Sequence, residues 1–373
     1  MSIVASLPDA PRDENSFIGE KTAAPPPLDV CPTAQGRVVS LDRGYPLVRT
    51  AQGELRAQHS IVLVKNVPLR AAVGDVVELE FPPGQDIPLI AAINERHTVL
   101  ARKVLIQSKH EGSGKYEEQI LAANVDIVFV VQSLGNRPLN LDYLERQLVL
   151  ACQSGAEVAV VLTKADLAHH LEADVAAAQG VAAGHEVIVE SAVTGIGLKR
   201  VRRLLAADAT AKESSTAPPH GAPRDTMPDG AESLPAATAG ATVGATGVLL
   251  GKSGVGKSTL INALLGSELL TTGAVRAKDR AGRHTTVARK MVFLPSGGAL
   301  IDAPGMRSVG LYEAALGLKR AFPEIVTHAA ACRYRDCTHT AEPGCALADA
   351  LSQGSIDRRR LDSYRAIAQE VFA

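Results

Sequence analysis

The feature that most constrains the fold of this chain is the stretch GKSGVGKS at residues 251–258. It matches the pattern GxxxxGK[ST], it follows the apolar segment ATGVLL, and it precedes STLINALLG, which has a helical pattern. In such a loop, glycines let backbone N–H groups converge on phosphate oxygens at the positive end of a helix. The stretch therefore predicts a phosphate-binding loop between a strand and a helix of an α/β sheet.

The residues of that loop have expected parts in holding a nucleoside triphosphate. Lys257 is predicted to reach the β- and γ-phosphates and to act in catalysis, and the Ser258 hydroxyl is predicted to bind Mg²⁺. Backbone groups of the loop supply the other expected contacts. The full predicted set is Gly251, Lys252, Ser253, Gly254, Val255, Gly256, Lys257, Ser258 and Thr259.

Two further segments downstream suit the same nucleotide. In IDAPG at 301–305, Asp302 is predicted to bind Mg²⁺ through water, and the N–H of Gly305 is predicted to meet the γ-phosphate. Thr285 and Thr286 lie between the two phosphate motifs, where a switch loop supplies an oxygen to Mg²⁺ and senses the γ-phosphate. We favour Thr286 over Thr285 as the magnesium ligand.

The segment TKAD at 163–166 predicts how the base is read. The Asp166 carboxylate can accept from the ring N–H and the exocyclic amine of guanine, a pair of donors that adenine lacks. The usual form of this motif is NKxD, and Thr163 in the Asn position predicts weaker hydrogen bonding within the loop. A second segment, SA before TGIGL, is the expected backbone contact to the guanine oxygen. The predicted base-reading residues are Thr163, Lys164, Asp166, Ser191 and Ala192.

The order of these motifs is unusual, because the base-reading segments precede the phosphate loop in the chain. This order is a circular permutation of the ordinary GTPase order. The site survives such a permutation because each motif follows a strand of one sheet, and joining the old termini moves none of those strand ends. Residues 208–243, which are rich in Ala, Pro and Thr, lie at the join and are predicted to be a flexible insert.

The part of the chain before this domain predicts a small β module. Residues 33–100 contain short β-branched segments separated by turn signals, which fit a five-stranded barrel of the OB type; sandwich and SH3-like barrels give a similar pattern. Residues 1–32 mix acids with prolines and are expected to be a disordered lead rather than a signal peptide. No run approaches the roughly 18 apolar residues of a membrane span, so we expect a soluble cytoplasmic protein.

Three of the five cysteines fall within residues 332–345. Cys332, Cys337, His339 and Cys345 form C-x4-C-x-H-x5-C, a soft four-ligand set suited to one tetrahedral Zn²⁺. The alternative is a group of unrelated cytoplasmic thiols. Because this segment has few apolar residues with which to fold, we expect the zinc to be structural. The arginine run at 358–360 is either a solvated helix face or an RNA contact.

Taken together, TKAD, SAVTGIGL, GKSGVGKSTL, GRHTT, DAPG and CRYRDCTHTAEPGCAL resemble the RsgA (YjeQ) family of circularly permuted GTPases. The resemblance implies an OB-fold barrel at 33–100, a permuted P-loop GTPase domain at 101–310 and a helical zinc-binding module at 311–373. It implies GTP or GDP, Mg²⁺ and Zn²⁺ as cofactors. It further implies that the protein binds the immature small ribosomal subunit and its rRNA and assists late maturation. We expect the protein to be a monomer.

Turnover is expected to depend on a partner. The position after the DxxG glycine, where many GTPases have a water-orienting glutamine, is Met306, so intrinsic hydrolysis should be slow. His284, beside the predicted switch threonines, is the candidate for placing the water; the alternative is a phosphate-facing or RNA-facing histidine. Two other functions stay open: a GTP-regulated RNA-binding scaffold with incidental turnover, and an ATP-dependent small-molecule kinase, which the base-reading motifs disfavour.

Overall fold

The structure is a computed structural model that describes most of the chain. It covers residues 31–42, 45–61, 63, 70–106, 115–206, 244–267, 270, 289–303, 310–311, 313–340 and 342–372. Four residues of the predicted site lie outside these ranges: His284, Thr285, Thr286 and Gly305. The lead, apart from its last two residues, and the 208–243 insert also lie outside them.

The strands fall into three groups along the chain. The first group is β1 (Thr33–Asp42), β2 (Tyr45–Thr50), β3 (Gly53–Arg56), β4 (Gln58–His59), β5 (Val76–Glu80) and β6 (Leu89–Ile93). The second is β7 (Val99–Ile106) and β8 (Lys115–Ala123). The third is β9 (Ile127–Ser133), β10 (Glu157–Thr163), β11 (Glu186–Val189), β12 (Thr246–Leu250), β13 (Arg289–Phe293) and β14 (Ala299–Asp302).

The helices lie between and after the strands of the third group. They are α1 (Leu141–Gln153), α2 (Leu171–Val181), α3 (Leu198–Ala206), α4 (Lys257–Leu265), α5 (Ala315–Ala321), α6 (Pro323–Ala329), α7 (Ala346–Ser352) and α8 (Arg358–Phe372). A short 3-10 helix spans Ala165–Leu167. None of the helices that the structure describes is both long and apolar enough to cross a membrane.

The centre of the fold is a parallel sheet in the order β11-β10-β9-β12-β14. Strands β9 and β12 are continuous apolar runs, because helices cover both faces of a parallel sheet. The registers Thr163↔Ser133 and Leu249↔Asp302 bring the carboxyl ends of these strands to one edge. That edge is where ligands bind in open α/β sheets.

The sheet continues past the parallel strands. Strands β13 and β14 form a hairpin around Gly297 and Gly298, which both have positive φ, 88° and 76°. Strand β13 then pairs antiparallel with β1, through Ser40↔Lys290 and Leu41↔Arg289. The N-terminal β module is therefore hydrogen-bonded directly to the strand that leads into the predicted magnesium aspartate.

The N-terminal strands pair with one another in a closed series. Strand β1 pairs with β2 and β5, β2 pairs with β3, β5 pairs with β6, and β6 pairs in parallel with β4. Only Ala57 separates β3 from β4, so the two act as one bent strand. Their interior is apolar and includes Val38, Val48 and Leu79. The β7–β8 pair is a separate two-stranded ribbon.

The C-terminal helices dock on α1. The Glu145 carboxylate, which is buried, accepts from Arg359 at 2.8 Å and from Arg360 at 2.8 Å, and Arg360 also donates to Glu324 at 2.7 Å. The expectation that the 358–360 arginines form a solvated or RNA-binding face is therefore wrong for two of the three. These two guanidinium groups neutralise a buried charge between modules, and breaking such a pair is costly.

Candidate nucleotide-binding site

The phosphate loop follows β12 and begins α4, as its sequence predicted. Gly254 and Gly256 have φ of 84° and 105°, which favours glycine. At Gly251 a Cβ atom would lie 2.7 Å from the carbonyl oxygen of Val131 on the neighbouring strand. The spacing of the glycines therefore follows from the turn and from its close contact with β9. The loop residues Lys252, Ser253 and Gly254 are exposed.

Lys257 is the first residue of α4 and is buried. Its ammonium group donates to the carbonyl oxygens of Gly251 and Lys252, both at 2.9 Å, so the side chain folds back over the loop. Ser258 and Thr259 follow in the first turn, half-buried and exposed respectively. A cation and two hydroxyls thus lie at the N-terminal end of a helix, where anions are favoured.

The base-reading loop is bound directly to the phosphate loop. The Thr163 hydroxyl lies 2.5 Å from the Val255 carbonyl oxygen and 3.1 Å from that of Gln132. The next residue, Lys164, has positive φ and donates from its ammonium group to the Gly254 carbonyl oxygen at 2.8 Å. The sequence predicted that Thr163 would brace the loop weakly. In the structure its buried hydroxyl bridges the two loops, although one proton serves only one of the two carbonyls at a time.

Asp166 lies in the 3-10 helix and is oriented by the second base-reading segment. The Ser191 hydroxyl donates to its carboxylate at 2.6 Å, and the N–H of Ala165 donates to the Glu190 carbonyl oxygen at 3.0 Å. Ala192 follows Ser191 and is also part of this loop. One carboxylate oxygen therefore has a donor from the protein, and the carboxylate keeps acceptor capacity for the two N–H groups of a guanine.

Glu190 is a residue of this region that the sequence argument missed. It is 1% exposed, and its Oε1 atom has no hydrogen-bond partner within the described residues. Burial first, and the charge of Asp166 second, raise the pKa of Glu190 to about 7. The available signal was an acidic residue ending the apolar segment EVIVE, since a carboxyl group at a buried position is unusual.

Asp302 ends β14 and is half-buried beside the phosphate loop strand. The structure therefore brings together the loop at 251–259, the base-reading residues and Asp302 at one edge of the sheet. His284, Thr285, Thr286 and Gly305 lie outside the described residues, so their predicted roles stay predictions. The residues that are described suit a guanine nucleotide with Mg²⁺, because they offer a phosphate cradle, a base-reading carboxylate and an oxygen ligand.

The four predicted zinc ligands also meet in space. Cys332 follows α6, Cys345 precedes α7, and the ligand atoms of Cys332, Cys337, His339 and Cys345 all lie within 4.8 Å of one another. His339 Nδ1 is 3.5 Å from Cys332 Sγ and 3.8 Å from Cys345 Sγ. A tetrahedral zinc with bonds of about 2.0–2.3 Å separates its ligands by about 3.5–3.8 Å. The donor set therefore fits the ion.

The fold and the site together define a circularly permuted P-loop GTPase. The chain matches the family described as RsgA GTPase over residues 93–211 and 230–312. Two relatives named small ribosomal subunit biogenesis GTPase RsgA each align with 90% of this chain. The relative from Streptomyces avermitilis is 39% identical, and the alignment covers 79% of its own length. The relative from Streptomyces coelicolor is 40% identical, with 80% of its own length covered. The chain belongs to the RsgA GTPase family and is a GTP-hydrolysing enzyme.

Two solved structures are similar in fold. YjeQ from Thermotoga maritima has a TM-score of 0.59 and 21% identity, with 91% of this chain and 99% of that one covered. YloQ, described as a circularly permuted GTPase, has a TM-score of 0.56 and 19% identity, with 91% and 95% covered. The permuted strand order found here is therefore a property of a known fold.

Proposed function

We propose that this GTPase binds the small ribosomal subunit through its rRNA, assists late maturation of the subunit in the cytoplasm, and hydrolyses GTP faster when bound there. Support comes from the names of its relatives, which refer to small-subunit biogenesis, and from its membership of their family. The protein acts as a monomer. Release from the subunit follows hydrolysis, so the nucleotide sets the residence time.

The observation that carries this proposal is the connection between the nucleotide site and the rest of the chain. Strand β13 follows the segment 271–288 and pairs with β14, which ends at Asp302, and its other edge pairs with β1 of the N-terminal module. Beyond Asp302 the chain enters the C-terminal helices. A change at the γ-phosphate therefore has a covalent route to one flanking module and a hydrogen-bonded route to the other.

The three modules have distinct proposed parts. Residues 33–100 are an OB-type barrel that contacts rRNA. The closed series of strands among the described residues of this module, with β4 parallel to β6, supports this. Residues 101–310 bind and hydrolyse GTP, with Mg²⁺ held by Ser258, Thr286 and Asp302, and His284 places the attacking water. Residues 311–373 hold one structural Zn²⁺, which would tie the end of α6 to the start of α7. Bound Mg²⁺ would supply charge neutralisation at the phosphates.

The test of this proposal is equilibrium binding of the full chain to isolated small and large subunits. We expect tight binding to small subunits with a non-hydrolysable GTP analogue, at least tenfold weaker binding with GDP, and weak binding to large subunits with either nucleotide. Equal affinity for both subunits would refute the proposed target. Equal affinity with GDP and with the analogue would instead favour an RNA-binding scaffold whose turnover is incidental.

A further inference from the structure

Two arginines donate to consecutive residues of β8 where the β7–β8 ribbon meets β13. Arg102 on β7 donates from Nε to the Gln119 side-chain oxygen at 2.9 Å. Arg289 on β13 donates from Nη1 to the Ile120 carbonyl oxygen at 3.0 Å. Gln119 and Ile120 are consecutive residues of β8, so the two cations are held to neighbouring points of one strand. Burial is the larger cause that lowers the pKa of Arg289, and the nearby charge of Arg102 lowers it further.

Neither cation has a carboxylate partner among the residues that the structure describes. Both side chains are half-buried, and each pairs only with a neutral oxygen. The acidic residues of the ribbon, Glu117 and Glu118, are exposed and form no ion pair with either guanidinium. Like charges in a partly desolvated place oppose each other, so the arrangement costs free energy unless an anion joins it.

Some other arginines in the described part of the chain pair with carboxylates, whereas Arg202 and Arg320 also donate to backbone carbonyl oxygens. Arg96 pairs with buried Asp75 at 2.6 Å, and Arg360 pairs with buried Glu145 at 2.8 Å. The half-buried Arg200 pairs with Glu186 at 2.7 Å. The Arg102–Arg289 pair differs in that two such cations are held to consecutive residues of one strand, and unbalanced partly buried charges are typical of sites that bind an opposite charge.

The pair also occupies a particular place relative to the nucleotide. Arg289 directly follows the segment 271–288, which contains the predicted switch threonines. The neighbour of Arg102, Lys103, donates its backbone N–H to the Gly310 carbonyl oxygen at 3.0 Å, and Gly310 follows the segment 304–309 after Asp302. A Cβ atom on Gly310 would lie 2.4 Å from the Lys103 carbonyl oxygen, so this contact requires glycine. The ribbon is thus joined to the exits of both segments.

We propose that Arg102 and Arg289 form a binding site for a phosphodiester group of RNA, placed between the ends of the two nucleotide-sensing segments. This inference rests on the proposed function, since it names part of the surface that meets rRNA. A planar guanidinium group can donate two parallel hydrogen bonds to phosphate oxygens, which favours a phosphate over a neutral ligand. Bound RNA phosphate would hold Arg289 and the ribbon together, and so would fix the residues that follow the two segments predicted to meet the γ-phosphate.

The test uses the full chain with a GTP analogue, isolated small subunits, and a series of salt concentrations. Arg102→Gln and Arg289→Gln should each weaken binding by about tenfold and reduce the slope of log affinity against log salt by about 1. Arg102→Lys and Arg289→Lys should keep the slope, and Arg289→Lys also keeps a donor for the Ile120 carbonyl. Affinity for the analogue should not change. The matched control is Arg200→Gln, which removes a paired arginine elsewhere and should bind as the parent does.

The outcomes separate the inference from the function. If the parent binds small subunits and both glutamine variants bind with the parent's affinity and slope, the phosphate site is refuted while the function stands. If the parent does not bind small subunits, both the phosphate site and the proposed function are refuted. A second arm measures thermal unfolding with inorganic phosphate. If phosphate stabilises the parent more than the glutamine variants, yet subunit binding is unchanged, the pair binds a free anion and the RNA assignment is overturned.

Discussion

The hydroxyl of Thr163 lies 2.5 Å from the backbone carbonyl oxygen of Val255, across 92 residues of sequence. This contact joins the loop that reads the base to the loop that cradles the phosphates. Its neighbour Lys164 makes a second contact of the same kind, to Gly254. In a permuted chain these two loops are far apart in sequence and reversed in order. The sheet places them at one edge, and side-chain contacts of this kind then join them.

Replacement of the Thr163 hydroxyl should therefore weaken nucleotide binding. Thr163→Val keeps the shape and leaves the Val255 carbonyl without this donor, which costs about 1–2 kcal/mol. We expect GDP and GTP affinity to fall by about tenfold in a fluorescent-nucleotide titration. Thr163→Ser, which keeps the hydroxyl, should remain close to the parent. An unchanged affinity for the valine variant would mean that the bridge does not support the site.

Guanine specificity should depend on Asp166. In Asp166→Asn the amide can donate to a ring carbonyl, so xanthosine triphosphate should compete for the site while GTP affinity falls by at least tenfold. Competition titrations with both nucleotides measure this. A variant that binds GTP as tightly as the parent would show that another residue reads the base.

The pKa of Glu190 predicts a pH-dependent stability. A carboxyl group whose folded pKa is raised from 4.5 to about 7 binds its proton more tightly in the folded chain, so stability falls as pH rises between these values. Glu190→Gln removes this titration. At pH 8 the variant should be more stable than the parent by about 1–3 kcal/mol in urea unfolding, and at pH 5 the difference should largely vanish. Equal stability at both values would contradict the assignment.

Zinc removal should act locally. Chelation is expected to unfold the segment around Cys332–Cys345 and to loosen α7, because all four ligands lie on this segment and Cys345 directly precedes α7. Helices α5 and α8 should stay docked on α1, since the Gly317–Gln153 hydrogen bond and the Glu145 ion pairs do not involve the ligands. Hydrogen exchange with and without chelator, beside a nucleotide titration, measures both effects. Metal analysis that finds no zinc in the purified chain would refute a zinc site.

Much of the architecture was predictable from the sequence, because it depends on local pattern. The apolar strands β9 and β12, the phosphate loop and the crowded cysteines each carry their own signal, and the family and its GTPase activity are confirmed. The bridging role of Thr163 and the burial of Glu190 depend on contacts between distant segments, which periodicity does not reveal. The prediction of a solvated or RNA-binding face was wrong for Arg359 and Arg360 for the same reason, since their partner Glu145 lies on another module.

Stimulated hydrolysis should depend on His284, which is the candidate for placing the water because Met306 cannot. His284→Ala should keep the parent's GTP affinity and lose most of the rate gained on the subunit. The rate is measured with saturating small subunits in both proteins. Full stimulation of the variant would remove His284 from the mechanism and leave it as a phosphate-facing or RNA-facing residue.

The most direct test of the whole account is single-turnover GTP hydrolysis by the parent chain, alone, with small subunits and with large subunits. We predict slow hydrolysis alone, since Met306 occupies the position of a water-orienting glutamine. Small subunits should raise the rate by on the order of a thousandfold, as an ordered activating element does, and large subunits should leave it near the basal value. Equal rates in all three conditions would contradict a GTPase activated by the small subunit.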